Sequence, residues 1–118
     1  MKQKLYIIKI GGNVVDSPET LRPFLESFAA LKGRKILFHG GGKIAMQVAE
    51  KLGIPTEMVE GRRITEHAML DVVTMVYGGL VNKNIVATLQ TIGVNAIGLT
   101  GADANIIRAR KRPVNETV

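Results

Sequence analysis

Two short apolar segments that run directly into glycines most constrain what this chain can fold into. Leu5–Ile10 is rich in β-branched residues and stops at Gly11 and Gly12, and Lys35–His39 is followed at once by Gly40–Gly42. Short apolar runs bounded by turn residues are typical of buried strands in parallel sheets. The sequence therefore predicts two such strands, each of which ends in a glycine loop.

Amphipathic helical patterns follow both strands and place the chain in a fold class. A first helix is expected to begin near Ser17 and Pro18 and to end at Gly33. A second precedes Gly53, a third begins near Thr65 and is broken or kinked at Gly78–Gly79, a fourth ends at Gly93, and Ala96–Leu99 forms a third strand. This order predicts an α/β protein with a parallel sheet, and 118 residues are one domain or part of one.

Composition excludes several classes of function. The chain has no cysteine, so disulfides, thiolate metal sites and cysteine nucleophiles are excluded. No apolar run approaches the roughly 18 residues that cross a bilayer, and there is no targeting segment, so we expect a cytoplasmic protein with no membrane partner. The net charge is +6, but Arg108–Arg112 carries four of the sixteen basic residues, and 12 − 10 leaves +2 for the rest. Nucleic acid is therefore not the expected ligand, although binding through this segment stays an alternative.

The glycine loops predict a site for an anion. In open α/β sheets, ligands bind beyond the carboxyl ends of the strands, and glycines there let backbone N–H groups converge on a phosphate or carboxylate. Lys9, inside the first strand, is costly unless it is paired with an anion, and its position aims it at the same site. Arg63, at the expected helix start, suits a carboxylate because its guanidinium binds both oxygens.

Other residues near the strand ends have structural explanations of equal or greater weight. Neither loop is a Walker A motif, but Gly40, Gly42 and Ala45 loosely fit a dinucleotide pattern, with Glu60 at the place of the ribose-binding acid. His39 is expected to be structural. Asp103 and Asn105 could face the crevice or simply form a turn.

Five segments, in this order, resemble the amino acid kinase family. They are Lys9–Asn13, His39–Gly42, Gly61–Thr65, Gly79–Lys83 and Gly98–Asp103. Arg63–Thr65, Val81–Lys83 and the turn from Gly101 to Asp103 are most similar to the branch that phosphorylates N-acetylglutamate. The resemblance extends over about residues 4 to 112. It implies a three-layer sandwich with a mainly parallel sheet, of which residues 1–118 would be the amino-terminal, acyl-glutamate-binding lobe.

The resemblance also implies roles for individual residues. Lys9 would be catalytic, stabilising charge on the phosphoryl group in transfer, and Gly11 and Gly12 would bind that phosphate. Gly41 and Gly42 would hold the reacting carboxylate, and Arg63 would bind the α-carboxylate of the substrate. The implied reaction is phosphorylation of the side-chain carboxylate of an N-acyl-glutamate by ATP with Mg²⁺, in arginine biosynthesis. No protein residues are expected to bind a metal.

Two features depart from the family pattern. Ala102 stands where relatives usually have lysine, and the ATP-binding lobe is expected to be absent from these 118 residues, which alone would be inactive. The start at the first strand, without an additional amino-terminal helix, resembles relatives that are homodimers and are not inhibited by arginine. The alternatives are a non-enzymatic binding module and a dinucleotide-binding domain.

Overall fold

A parallel pair of strands forms the centre of the structure. The computed structural model describes residues 3–55, 57–59, 62–64, 67–111 and 113. Strand β1 (Leu5–Lys9) pairs in parallel with β2 (Arg34–Phe38), with Leu5 opposite Arg34 and Lys9 opposite Phe38. The Ile10 N–H donates to the Phe38 carbonyl at 3.0 Å and extends the pairing to the first glycine loop. Both predicted strands and their parallel orientation are confirmed.

Two helices connect β1 to β2, and a third follows β2. They are α1 (Gly12–Val15), α2 (Pro18–Ala30) and α3 (Ile44–Lys51). Pro18 occupies the first turn of α2, where its missing N–H leaves no carbonyl unsatisfied. Gly53 has φ +71° just beyond the end of α3, the left-handed conformation that ends many helices. The start of α2 and the end of α3 agree with the sequence predictions, whereas α2 ends at Ala30, three residues before the predicted Gly33, and α1 was not predicted.

A β-hairpin follows α3 and corrects one sequence prediction. Strands β3 (Glu57–Val59) and β4 (Arg62–Ile64) pair antiparallel, with Met58 opposite Arg63. The sequence predicts that Arg62 and Arg63 lie at a helix start, but the next helix, α4 (His67–Val73), begins at His67. Arg63 therefore lies in a strand, because the hairpin takes up the residues between α3 and α4.

A break and a kink were the two alternatives predicted at Gly78–Gly79, and the break does not occur. Helix α4, a π-helical segment (Thr74–Val81) and α5 (Asn82–Thr91) form one continuous helix from His67 to Thr91. A π turn accommodates both glycines without interrupting the helix, and such turns are frequent at functional sites. By length and composition this helix, the one candidate span among the described residues, could cross a membrane, but a third of it is buried inside the protein, and core helices pass the same test.

The helices pack on one face of the β1–β2 pair. Ile8 and Leu37 point towards them and contact the core, whereas Leu5, Ile7, Ile36 and Phe38 are exposed on the opposite face. The buried core consists of Ile10, Val15, Leu25, Phe28, Ala45, Ala49, Met69, Val72, Val76, Val81, Ile85 and Leu89. The α/β class with a parallel sheet is confirmed, and in the part of the chain that the structure describes it has helices on one side.

The predicted third strand does not form. Residues 94–100 have no strand structure, and Ile97 is 83% exposed. Backbone carbonyls in this segment bind side chains of α5 instead: Lys83 Nζ donates to Gly98, and Asn82 Nδ2 donates to Leu99. The segment therefore packs beside a helix and does not extend the strand pair.

Candidate anion-binding site

The two glycine loops converge beyond the carboxyl ends of β1 and β2. A Cβ atom placed on Gly12 would lie 3.2 Å from the Cα of Gly42, so the loops are in backbone contact. This contact follows from the parallel pairing, because both strands end at the same edge of the sheet. The structure thus brings together four glycines that the sequence assigned to one site: Gly11, Gly12, Gly41 and Gly42.

Asp16 joins the two loops. It follows the last residue of α1, and its Oδ1 accepts a hydrogen bond of 2.8 Å from the Lys43 N–H, directly before α3. The same carboxylate occupies the space where a side chain on Gly42 would be, and Gly42 has φ +56°. Only glycine fits this conformation and this contact without strain. The sequence does not indicate that Asp16 belongs to this site, because Asp16 lies in a typical helix-start motif.

Backbone donors at the loops remain available to a ligand. The N–H groups of Gly11, Gly41 and Gly42 donate to no acceptor within the described residues. The Lys43 N–H is engaged by Asp16, so this donor at the start of α3 is not free. An anion here would therefore be held by the glycine N–H groups more than by the helix terminus.

Tyr77 closes one side of the second loop. Gly41 is buried, and the Tyr77 ring occupies the space that a Cβ atom on Gly41 would need. Tyr77 belongs to the π-helical segment, which therefore touches the loop that was assigned to the substrate. One sequence signal for this contact is the Tyr77-Gly78-Gly79 segment inside an apolar helix. By themselves its two glycines predict only a break or a kink.

Lys9 is exposed at the end of β1 and faces away from the core. Ile8 and Ile10 take the core-facing positions on either side of it, and the Lys9 side chain forms no hydrogen bond or ion pair with the described residues. Lys9 therefore does not need an anion to offset burial, because side chains alternate between the two faces of a strand and its own face is exposed. Its position beside the Gly11–Gly12 loop is as predicted, and its catalytic role stays a prediction.

Two other candidates are placed in part. Arg63 lies in the middle of β4, and its side chain is outside the described residues. Asp103 accepts hydrogen bonds from the Thr100 N–H at 2.6 Å and the Thr100 hydroxyl at 2.9 Å, and these donors lower the pKa of its carboxyl. Asp103 therefore organises a turn. Asn105 lies in the short 3-10 helix (Asp103–Asn105) with φ +53°.

The alternatives to a carboxylate or phosphate site gain nothing from the structure. Among the residues that the structure describes, no group of three or more His, Cys, Asp or Glu side chains is placed to hold a metal ion. Arg108, Arg110 and Lys111 are exposed, whereas Arg112 and Glu60 lie outside the described residues.

Glycine loops that converge beyond a parallel strand pair define an α/β protein of the class that holds an anion at the sheet edge. Comparison with known proteins makes this more specific. The sequence matches the amino acid kinase family over residues 4–118, and the chain belongs to this family.

The chain is similar to acetylglutamate kinases from several bacteria. The protein from Cytophaga hutchinsonii is 61% identical over 98% of this chain, and that from Bacteroides fragilis is equally similar. The Myxococcus xanthus protein is 38% identical. The chain spans 44% of the length of the first two relatives. The crystal structure of smu.665 from Streptococcus mutans shares the fold, with a TM-score of 0.62, 24% identity and coverage of 76% of this chain and 37% of that protein.

Proposed function

We propose that this chain is the substrate-binding part of a kinase that phosphorylates the side-chain carboxylate of N-acetyl-L-glutamate or another N-acyl-glutamate. The observation that carries the proposal is the contact between the two glycine loops, 3.2 Å from a Gly12 Cβ position to the Gly42 Cα. It creates one place where a phosphoryl group and a carboxylate could meet. The kinase relatives support the reaction class.

The chemistry assigned to the site needs position and charge more than proton transfer. A carboxylate oxygen of the substrate attacks the γ-phosphorus of ATP, the bond to the β-phosphate oxygen breaks, and the products are an acyl phosphate and ADP. The nucleophile is already ionised, so no general base is needed. Catalysis then depends on alignment and on stabilisation of charge that spreads over the phosphoryl oxygens.

Each assigned residue has a role in that alignment. The unpaired N–H groups of Gly41 and Gly42 hold the reacting carboxylate, and the N–H groups of Gly11 and Gly12 hold the phosphoryl oxygens. Lys9, exposed beside the first loop, supplies positive charge there. Arg63 binds the α-carboxylate. ATP contacts, Mg²⁺, the homodimer, the arginine pathway and a cytoplasmic location belong to the proposal through the relatives alone.

A chimeric enzyme would test this function. Residues 1–111 of this chain are joined to the remaining portion of the Cytophaga hutchinsonii relative, and acyl phosphate formed from N-acetyl-L-glutamate and ATP is trapped with hydroxylamine. We expect the chimera to be active, Lys9→Ala to lower kcat at least about 100-fold, and Arg63→Ala mainly to raise KM. Lys4→Ala, which removes an exposed lysine directly before β1, is the control. An active chimera that tolerates both substitutions would refute the assignment.

A dinucleotide site is a weaker candidate. It would place a pyrophosphate at the amino terminus of α3. The Lys43 N–H at that terminus is already bound by the Asp16 carboxylate, so this donor is not free for a pyrophosphate. The structure therefore favours the acyl-glutamate proposal.

A further inference from the structure

Asn82 is a buried polar side chain that the proposed chemistry does not use. It is 7% exposed, and it is the one polar residue among the described buried side chains. A buried amide that lacked hydrogen-bond partners would destabilise the fold, so the partners of Asn82 matter. Asn82 begins α5 three residues before Ile85, so it shares the buried face of that helix.

The orientation of the Asn82 amide follows from its neighbour Lys83. Lys83 Nζ, which can only donate, lies 2.9 Å from Asn82 Oδ1. Nδ2 is therefore the opposite atom, and its two hydrogens are directed to the Leu99 carbonyl at 3.3 Å and to His39 Nε2 at 3.0 Å. A Cβ atom on Gly98 would collide with Asn82 Oδ1, which explains the glycine there.

The same geometry determines the protonation of His39. Nε2 faces a donor, so it must be the unprotonated acceptor of a neutral imidazole. Nδ1 then carries the hydrogen and donates it to the Gly40 carbonyl, 2.8 Å away. One hydrogen-bonded chain thus runs from Lys83 through Asn82 and His39 to the start of the Gly40–Gly42 loop.

We propose that Asn82 is a positioning residue that holds His39 as the Nδ1–H tautomer and, through it, orients the Gly40–Gly42 loop for the substrate carboxylate. The inference rests on the proposed function for the identity of the ligand. The Gly40 carbonyl is drawn towards His39, so the peptide plane between Gly40 and Gly41 is held with the Gly41 N–H pointing the opposite way. The loop is anchored by Asn82 on this side and by Asp16 on the other.

The first test measures the His39 tautomer by ¹⁵N NMR in the 118-residue chain. We expect Nδ1–H in the parent. In Asn82→Asp an acceptor replaces the donor that faces Nε2, so Nε2 should gain a proton. Asn84→Asp is the matched control, since Asn84 is exposed on the same helix, and it should leave the tautomer unchanged. An Nε2–H tautomer in the parent, or an unchanged tautomer in folded Asn82→Asp, would overturn the proposal.

The second test measures binding of N-acetyl-L-glutamate. We expect Asn82→Asp to weaken binding about tenfold and Asn84→Asp to change it less than twofold. His39→Gln, whose amide oxygen can still accept from Asn82, should bind more tightly than His39→Leu. Equal affinities for these two variants would contradict a positioning role. If the parent does not bind this ligand, the proposed function fails, while the His39 tautomer still decides whether the network exists.

Discussion

At the scale of the residue, the glycines differ in what their missing side chains make possible. Gly41 and Gly42 leave room for the Tyr77 ring and the Asp16 carboxylate, whereas a Cβ atom on Gly11 or Gly53 would meet nothing within 4 Å. Glycine is thus required at the second loop by close packing, and at Gly53 by conformation alone. This difference allows packing and backbone strain to be measured separately.

Gly42→Ala should lower the free energy of unfolding more than Gly53→Ala. Both residues have positive φ, +56° and +71°, so both variants incur about 1–2 kcal/mol of backbone strain. Gly42→Ala should lose about 1–3 kcal/mol more, because its Cβ collides with Asp16. Urea denaturation measures both values, and equal losses would show that the loops are not in contact.

Asp103 should make stability depend on pH in the acid range. Its pKa is lowered, mainly by the Thr100 N–H and then by the Thr100 hydroxyl, so the unfolded chain binds a proton more readily than the folded one. Its contribution is complete above the unfolded value, near pH 3.9, and is lost as pH falls through the lower folded value.

Urea midpoints measured between about pH 6 and pH 2 should therefore fall less steeply in Asp103→Ala than in the parent. Thr100→Val, which keeps the N–H donor and removes the hydroxyl, should give an intermediate slope. Identical slopes in all three proteins would exclude this carboxyl as a source of acid sensitivity.

The sequence predicts which residues belong to the site by their type better than it predicts which side chains contact them. Gly11, Gly12, Gly41 and Gly42 could be assigned to one site, because strand ends and glycines are visible in the sequence. Asp16 and Asn82 could not be found in this way, since their partners lie 27 and 43 residues distant in the chain. For Asn82, one signal was present: a polar residue three positions before Ile85, on the apolar face of a helix.

At the scale of the element, the side chain of one lysine in β2 caps the carboxyl end of α2. Lys35 Nζ donates to the carbonyls of Phe28, Ala29 and Leu31, at 2.8, 3.2 and 2.5 Å, and lies 5.0 Å from the Phe28 ring centre. The last carbonyls of a helix have no partner within the helix, and a cation there also interacts favourably with the negative end of the helix dipole. The first residues of β2 thus stabilise the preceding helix.

Lys35→Met should lower the free energy of unfolding by about 1–2 kcal/mol, because it keeps the apolar stem and removes the donors. Lys32→Met is the matched control, since Lys32 is exposed and forms no hydrogen bond with the described residues; it should change stability by less than about 0.5 kcal/mol. Thermal or urea unfolding of the two variants compares them, and equal effects would contradict capping by Lys35.

The π-helical segment has two adjacent glycines with opposite expected effects. A Cβ atom on Gly78 would lie 2.7 Å from Thr100 Cγ2, whereas one on Gly79 would meet nothing within 4 Å. Gly79→Ala should stabilise the chain by up to about 1 kcal/mol, and Gly78→Ala should destabilise it by about 1–2 kcal/mol. Changes in the free energy of unfolding that have the same sign in both variants would contradict the packing of residue 100 on this helix.

Elements with a local signal were predictable, and those that depend on distant partners were not. Strands β1 and β2, the start of α2 and the glycine that follows α3 each have a clear pattern in the sequence. The break at Gly78–Gly79 was wrong, because packing against Thr100 favours a continuous helix over the local preference of glycine. The predicted strand at Ala96–Leu99 was wrong, since strands need a partner and Asn82 and Lys83 bind its carbonyls first.

At the scale of the whole molecule, the chain is more open than a compact domain of its length. Its radius of gyration is 16.2 Å, compared with about 13.5 Å expected for 118 residues in a compact domain. One face of the strand pair exposes Leu5, Ile7, Ile36 and Phe38. Both features agree with the finding that the chain spans less than half the length of its kinase relatives.

The most direct measurement is a titration of the ¹⁵N-labelled chain with N-acetyl-L-glutamate, followed by two-dimensional NMR. We predict that the amide signals of Gly41 and Gly42 move together with a single dissociation constant, that N-acetyl-L-glutamine perturbs them less because it lacks the side-chain carboxylate, and that Gly53 does not respond. If N-acetyl-L-glutamate leaves both loop signals unmoved, or moves them no more than the amide analogue does, the converging glycine loops are not the carboxylate site.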